Sequence, residues 1–167
     1  MNSEERKTQL KTWLRCRMES EFYKTSCSDL PLKESPEFFG RLGIFITLRR
    51  NNRVRGCYGS FFHRHESFEA NLLEYLRAAL RNDPRYEPLA PSEIPKTEIL
   101  LTLASMPESI SNDSRLDTSL YGLILSDKNG NSLVFVPGEL RGRDPFERLK
   151  RKFKAYSFQA FRAIRIN

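Results

Sequence analysis

Apolar residues recur along this chain with two periods, and the change of period separates helices from strands. Leu10, Trp13, Leu14, Met18 and Phe22 fall three or four residues apart and predict a helix from Ser3 to Thr25. Asp29 to Gly40 holds Pro31, Pro36 and Gly40 and reads as a loop. The period then shortens to two: in Gly43 to Arg49, Ile44, Ile46 and Leu48 alternate with Phe45 and Thr47. Asn51-Asn52 suits a tight turn, because asparagine tolerates positive φ, and Arg53 to Phe61 returns as a second strand. Ser67 is the expected N-cap of a helix with Phe68, Leu72, Tyr75, Leu76, Ala79 and Leu80 on its buried side. The prolines of Asp83 to Pro88 end that helix. Thr97 to Ser105 is a third strand. Leu120 to Ser126 and Ser132 to Pro137 flank the hairpin turn Asp127-Lys128-Asn129-Gly130. Asp144-Pro145-Phe146-Glu147 opens a helix that runs to Ala155, and Ala160 to Ile166 alternates as a closing strand. Hairpin-joined strands with intervening helices predict an α+β fold, an antiparallel β-sheet with flanking helices.

Composition adds limits. A chain of 167 residues with 39% hydrophobic content can bury a core as one compact domain, whole or split into two lobes. Its longest apolar runs, such as Leu133 to Val136, are far too short to span a bilayer, so no membrane partner is expected. The first residues are polar and acidic, without a signal peptide's apolar core, and a cytoplasmic location follows as the expectation. The three cysteines, Cys16, Cys27 and Cys57, match no zinc spacing, and a reducing cytoplasm argues against a disulfide framework. The net charge of +7 is weighted late, through Arg141, Arg143, Arg148, Lys150, Arg151, Lys152 and Lys154. One reading is a nucleic-acid or polyanion surface made by Lys150, Arg151, Lys152 and Lys154. The other is the solvated face of an amphipathic helix, with Phe146, Leu149 and Phe153 on its core side.

The most informative chemistry lies in Arg55-Gly56-Cys57-Tyr58-Gly59. Glycines beside a cysteine leave its sulfur approachable, and Arg55 on the same strand face would favour the thiolate. The functional reading is a reactive Cys57, with Arg55, Gly56, Tyr58 and Gly59 forming the surrounding binding surface. The structural reading is a small apolar residue in a tight sheet, with glycines serving backbone packing.

Gly43 to Leu48, then Val54 to Gly59, then Asp83-Pro84-Arg85-Tyr86-Glu87-Pro88-Leu89 resemble, in order and spacing, the AMMECR domain family. Its hallmark is Leu-Arg-Gly-Cys-Ile-Gly followed by Asp-Pro-Arg-Phe-x-Pro. Thr97 to Ser105, Tyr121-Gly122-Leu123 and Phe146 to Phe153 are similar to later blocks, so the resemblance covers nearly the whole chain. It implies a single domain over residues 1–167. The larger of two lobes would hold both termini, the smaller would come from the middle of the chain, and the cysteine motif would face a large cleft between them. It further implies an uncharacterised activity on a protein or nucleic-acid partner, with a genomic association to Memo-type and radical S-adenosylmethionine proteins. The chain departs from the pattern at Leu100, where Glu is common, at Tyr121, where His is common, and at Lys150, where a second Cys is common. Of a usual Leu-Pro-Gln stretch, Val136-Pro137-Gly138-Glu139 keeps only the proline.

Three constellations complete the reading. Cys57 with His63 or His65 would be a nucleophile and base, but six extended residues span roughly 20 Å, so the loop must fold back. Arg55 with Arg85 would hold an anionic group, or each would form a structural ion pair, for instance with Asp83 or Glu87. Two histidines without a carboxylate at ligand spacing give no metal site, and no cofactor is expected. The leading expectation is therefore a large partner bound around Cys57, with possible cysteine-nucleophile chemistry. The competing class is a non-catalytic adaptor or nucleic-acid-binding module using residues 141–154.

Overall fold

The structure, a computed structural model, describes residues 3–30, 43–111, 115–140, 145–154 and 157–167. It is an α+β fold built on antiparallel strand pairs, and it divides into two compact units, one of Met1–Leu103 with Arg165–Asn167 and one of Ala104–Ile164.

The first unit begins with helix α1, Ser3–Ser20. Leu10, Trp13, Leu14 and Met18 are buried as the periodicity predicts. The helix stops at Ser20 rather than at Thr25, because the chain turns back so that Cys27 forms a disulfide with Cys16. This bridge overturns the expectation of unpaired cysteines there: helix and return segment bring the two Cα atoms to 5.9 Å, within bonding reach. Trp13 Nε1 and Arg17 Nη2 both donate to the Ser28 carbonyl and hold the same return segment.

Strands β1, Gly43–Arg50, and β2, Arg53–Ser60, pair antiparallel across Asn51 and Asn52, whose φ angles of 50° and 59° make the expected tight turn. Helix α2, Phe68–Arg81, starts at Ser67, whose side chain accepts the Ala70 N–H. All six residues assigned to its inner side are buried. They meet Ile44, Ile46 and Leu48 of β1 in the core of the unit. A 3₁₀ turn at Pro91–Lys96, absent from the sequence reading, leads to β3, Glu98–Ala104, which lies beside β1. Leu101 and Leu103 of β3 join that same core.

The second unit holds β4, Glu108–Ile110, β5, Tyr121–Ser126, β6, Ser132–Phe135, helix α3, Pro145–Phe153, and β7, Ser157–Ile166, whose last two residues belong to the first unit. β5 pairs with β6 and with β7, and the short β4, too brief for its periodicity to show, also pairs with β7. Leu149 of α3 packs with Leu123, Leu125 and Phe158 in a separate small core. The loop expected to Gly40 and the N-cap expected at Asp144 lie outside the described residues. No helix among the described residues is long and apolar enough to cross a membrane.

Candidate functional site

The cysteine motif lies on β2, which has a strand on one side only in the sheet order. An unpaired strand edge exposes donors and acceptors that need partners. Here they come from the second motif. The Asp83 carboxylate accepts the Cys57 N–H through Oδ2 at 2.8 Å. The Glu87 and Pro88 carbonyls accept from the Arg55 guanidinium at 2.6 and 3.4 Å. Two motifs separated by more than twenty residues of sequence are thus one hydrogen-bonded assembly. Proline ends α2, and Leu89 N–H donates to Leu80 O, so the intervening loop is drawn back along the strand.

Arg55 does not follow strict alternation. Leu48 pairs with Gly56 and Arg49 with Val54, so Arg55 is the extra residue of a β-bulge. Bulges re-aim side chains. This one directs Arg55 to Glu93, with Nε to Oε1 at 3.0 Å and Nη2 to Oε2 at 3.1 Å. Glu93 also accepts the Ala90 N–H at 2.9 Å, and that bond, with the charges of Arg55 and Arg50, holds its carboxyl below the usual range despite partial burial. Arg85 forms a fork on Asp83, Nε to Oδ1 and Nη2 to Oδ2, each at 3.0 Å, while its own N–H donates to Oδ1. Burial alone would raise the Asp83 carboxyl. Hydrogen bonds from Arg85 and from the Cys57 N–H outweigh it and hold the group below its ordinary value. Both arginines expected at the site are therefore engaged by carboxylates of the same unit.

Cys57 itself is a free thiol, 9% exposed, with Sγ 3.3 Å from Thr47 Oγ1. The flanking glycines are required by backbone packing. A Cβ on Gly56 would lie 2.2 Å from the Ala79 carbonyl oxygen of α2, and one on Gly59 would lie 2.1 Å from the Ile44 oxygen. Gly56 and Tyr58 therefore face α2, and Cys57 leaves by the opposite face with Thr47. Thr102 lies between Leu101 and Leu103, so it leaves by that face too. It is fully buried, and its Oγ1 has no hydrogen-bond partner among the described residues. Thr47, Asp83, Glu93 and Thr102 are residues of this environment to which the sequence reading gave no site role. Asp83 carried a signal in its motif; Glu93 carried none.

The histidines lie elsewhere. His63 Nδ1 shares a 2.7 Å hydrogen bond with the Tyr75 hydroxyl, which burial and neighbouring Glu74 push up to about 12. The Tyr75 ring also lies 6.0 Å from the ring of Tyr58, so this group occupies the α2 face of the strand, opposite the thiol. His65 Nε2 is 2.8 Å from Glu74 Oε2, an ion pair when the ring is a doubly protonated imidazolium. Fully buried Asn71 fixes the loop, accepting the His65 N–H and donating to the His65 carbonyl. In α3, Lys150 pairs with Glu147 at 3.0 Å, Leu149 is buried and Arg151 is exposed, as is Lys154 just past the helix. The side chain of Lys152 lies outside the described residues. Among the described residues, no three His, Cys, Asp or Glu side chains gather at metal-ligand spacing.

At the end of β2, aromatic surface is open: Tyr58 is 40% exposed and Phe62, just past the strand, 85%. Exposed aromatics of this size are a feature of recognition surfaces.

The chain is similar to several proteins of archaea and bacteria. A protein of Thermotoga maritima is 31% identical over 98 residues, covering 57% of this chain and 56% of that protein. One of Methanosarcina barkeri is 30% identical over 102 residues, covering 58% and 50%. The matches thus span about half the length of these curated relatives. The crystal structure of an uncharacterized protein, PH0010, from Pyrococcus horikoshii superposes with a TM-score of 0.67 at 20% identity, covering 96% of this chain and 90% of that one, which shows a shared fold. The family model described as AMMECR1 matches residues 12–161, the span that holds both motifs and the environment built around them. By that match the chain belongs to the AMMECR1 family.

Proposed function

We propose that this protein is a polypeptide-binding module whose recognition surface is the aromatic end of β2, formed by Tyr58 and Phe62. The observation that carries the reading is the openness of two large rings at the end of one strand: Phe62 is 85% and Tyr58 40% exposed. The rings supply apolar area at low entropic cost. The Asp83–Arg85 fork and the Arg55–Glu93 pair hold the strand rigid beneath them. A rigid support lowers the cost of ordering the surface on binding. Cys57, on the opposite face of the strand, is a separate candidate nucleophile, with its Sγ hydrogen-bonded to Thr47.

The test is selection of a displayed random-peptide library on the immobilised protein, with a Tyr58→Ser/Phe62→Ser double variant as the counter-target. Peptides enriched on the native protein and lost on the variant support the reading. Equal recovery from both would refute it, and salt-sensitive capture of single-stranded oligonucleotides in place of peptides would favour nucleic acid. Iodoacetamide tests the nucleophile separately. Labelling of Cys57 faster than a model peptide thiol supports it; labelling no faster, with no reactivity below the pH of an ordinary thiol, removes it.

A further inference from the structure

A second site lies away from the cysteine motif, in a groove of about 680 Å³ whose lining belongs entirely to the first unit. Lys11 and Arg15 of α1, Arg49 at the end of β1, and Lys96 to Leu100 around the start of β3 line it, with Asn167. Among the described lining side chains, four are cationic (Lys11, Arg15, Arg49, Lys96) and one, Glu98, is a carboxylate. Their states differ. Arg15 is committed, donating to Glu19, to the Thr97 carbonyl at 2.7 Å and to the Ile94 carbonyl at 3.3 Å. Arg49 engages Glu98 through Nη2 at 3.2 Å. Its Nε is buried and has no acceptor among the described residues. Lys11 and Lys96 are exposed and have no ion-pair or hydrogen-bond partner among those residues. Pro95, Ile99 and Leu100 supply an apolar wall.

Two unpaired ammonium groups beside the Arg49 guanidinium over one concavity make an anion the matching ligand. The apolar wall and the volume fit a small organic body, within the range of ligand pockets of about 300–1,000 Å³. None of the lining side chains among the described residues is aromatic, so no stacking platform of the kind single-stranded nucleic acid uses is found among them.

We infer that this groove binds a small phosphate-bearing metabolite, with the Arg49 guanidinium and the ammonium groups of Lys11 and Lys96 around the phosphate and Pro95, Ile99 and Leu100 against the organic body. The Glu98 carboxylate orients Arg49 and, by repulsion, keeps the phosphate on the lysine side. The inference is independent of the aromatic surface on β2.

Titration calorimetry on the whole chain tests it, with adenosine monophosphate, adenosine and inorganic phosphate as probes and a twenty-nucleotide oligo-dT as the polyanion control. The monophosphate is expected to bind, inorganic phosphate to bind more weakly and adenosine not at all. Lys11→Gln with Lys96→Gln should weaken the monophosphate by about tenfold or more, the loss of roughly one charge-assisted hydrogen bond. The thermal midpoint of the ligand-free variant should match the parent, since both lysines are exposed and unpaired. Adenosine binding as tightly as its monophosphate, binding unaffected by the double substitution, or no binding of any phosphate probe would overturn the inference. Oligo-dT binding more tightly than the monophosphate and lost in the same variant would replace the small ligand with a nucleic acid.

Discussion

Single residues in the cysteine motif are constrained more tightly by their neighbours than by the thiol they surround. Gly56 is the clearest case, because a methyl group there would run into the backbone of α2 and not into a flexible side chain. Gly56→Ala is expected to cost about 3 kcal/mol or more, as overpacking against backbone does. Chemical denaturation checks this, and a value within 0.5 kcal/mol of the parent, about the range of a neutral surface change, would contradict it. Asp83 is constrained by charge. Its carboxyl sits below the ordinary value of about 3.9 in the folded chain, so the stability it supplies is fully present above that pH. That stability is lost as pH falls through the lower, folded value. Asp83→Asn should therefore destabilise the protein by about 3 kcal/mol at neutral pH, through the stranded Arg85 and the lost carboxylate, and its thermal midpoint should depend less on pH below 4 than the parent's. Parallel acid melts of the two proteins decide the point.

Elements were legible wherever the apolar period was long and uninterrupted. The inner side of α2, the stripe of α1 and the alternation of β1 were all readable, because burying one face of a helix or strand demands that pattern. The misses have local physical causes. Helix α1 ends early because Cys27 returns to Cys16, and nothing in the residues between them announces the reversal. The bulge at Arg55 breaks an alternation that the sequence displays intact, since one extra residue changes where a side chain points without changing its neighbours in the chain. The Cys16–Cys27 bridge is expected to stabilise the return segment by about 2–3 kcal/mol, as for a loop of this size. Under denaturing, non-reducing conditions, thiol titration should find one of the three cysteines free, and reduction should lower the thermal midpoint by several degrees. Three titratable thiols before reduction would exclude the bridge.

At the scale of the whole molecule the two units differ in the apolar cores they have built. In the first, both helices, β1, β3 and Ile166 of β7 contribute to one extended core. In the second, the core described consists of Leu123, Leu125, Leu149 and Phe158 with a few partly buried neighbours. Cooperative stability follows buried apolar contacts, so the second unit should open locally at lower free energy than the first. Native-state hydrogen exchange is expected to show the amides of β5 and β6 exchanging before those of β1 and α2, and the reverse order would refute this.

What the residues determined unaided was the fold class, the family and the order of most elements, because periodicity, turn chemistry and ordered motifs are properties of neighbouring positions. What tertiary structure alone decided was how the two motifs act together. Asp83 reaches the Cys57 amide, Arg55 is turned by a bulge toward Glu93, and Lys11, Arg49 and Lys96 converge on one groove. Those pairings join residues 26 to 85 positions apart, and only the closing of helices and strands around a shared core brings such groups within hydrogen-bond or charge range.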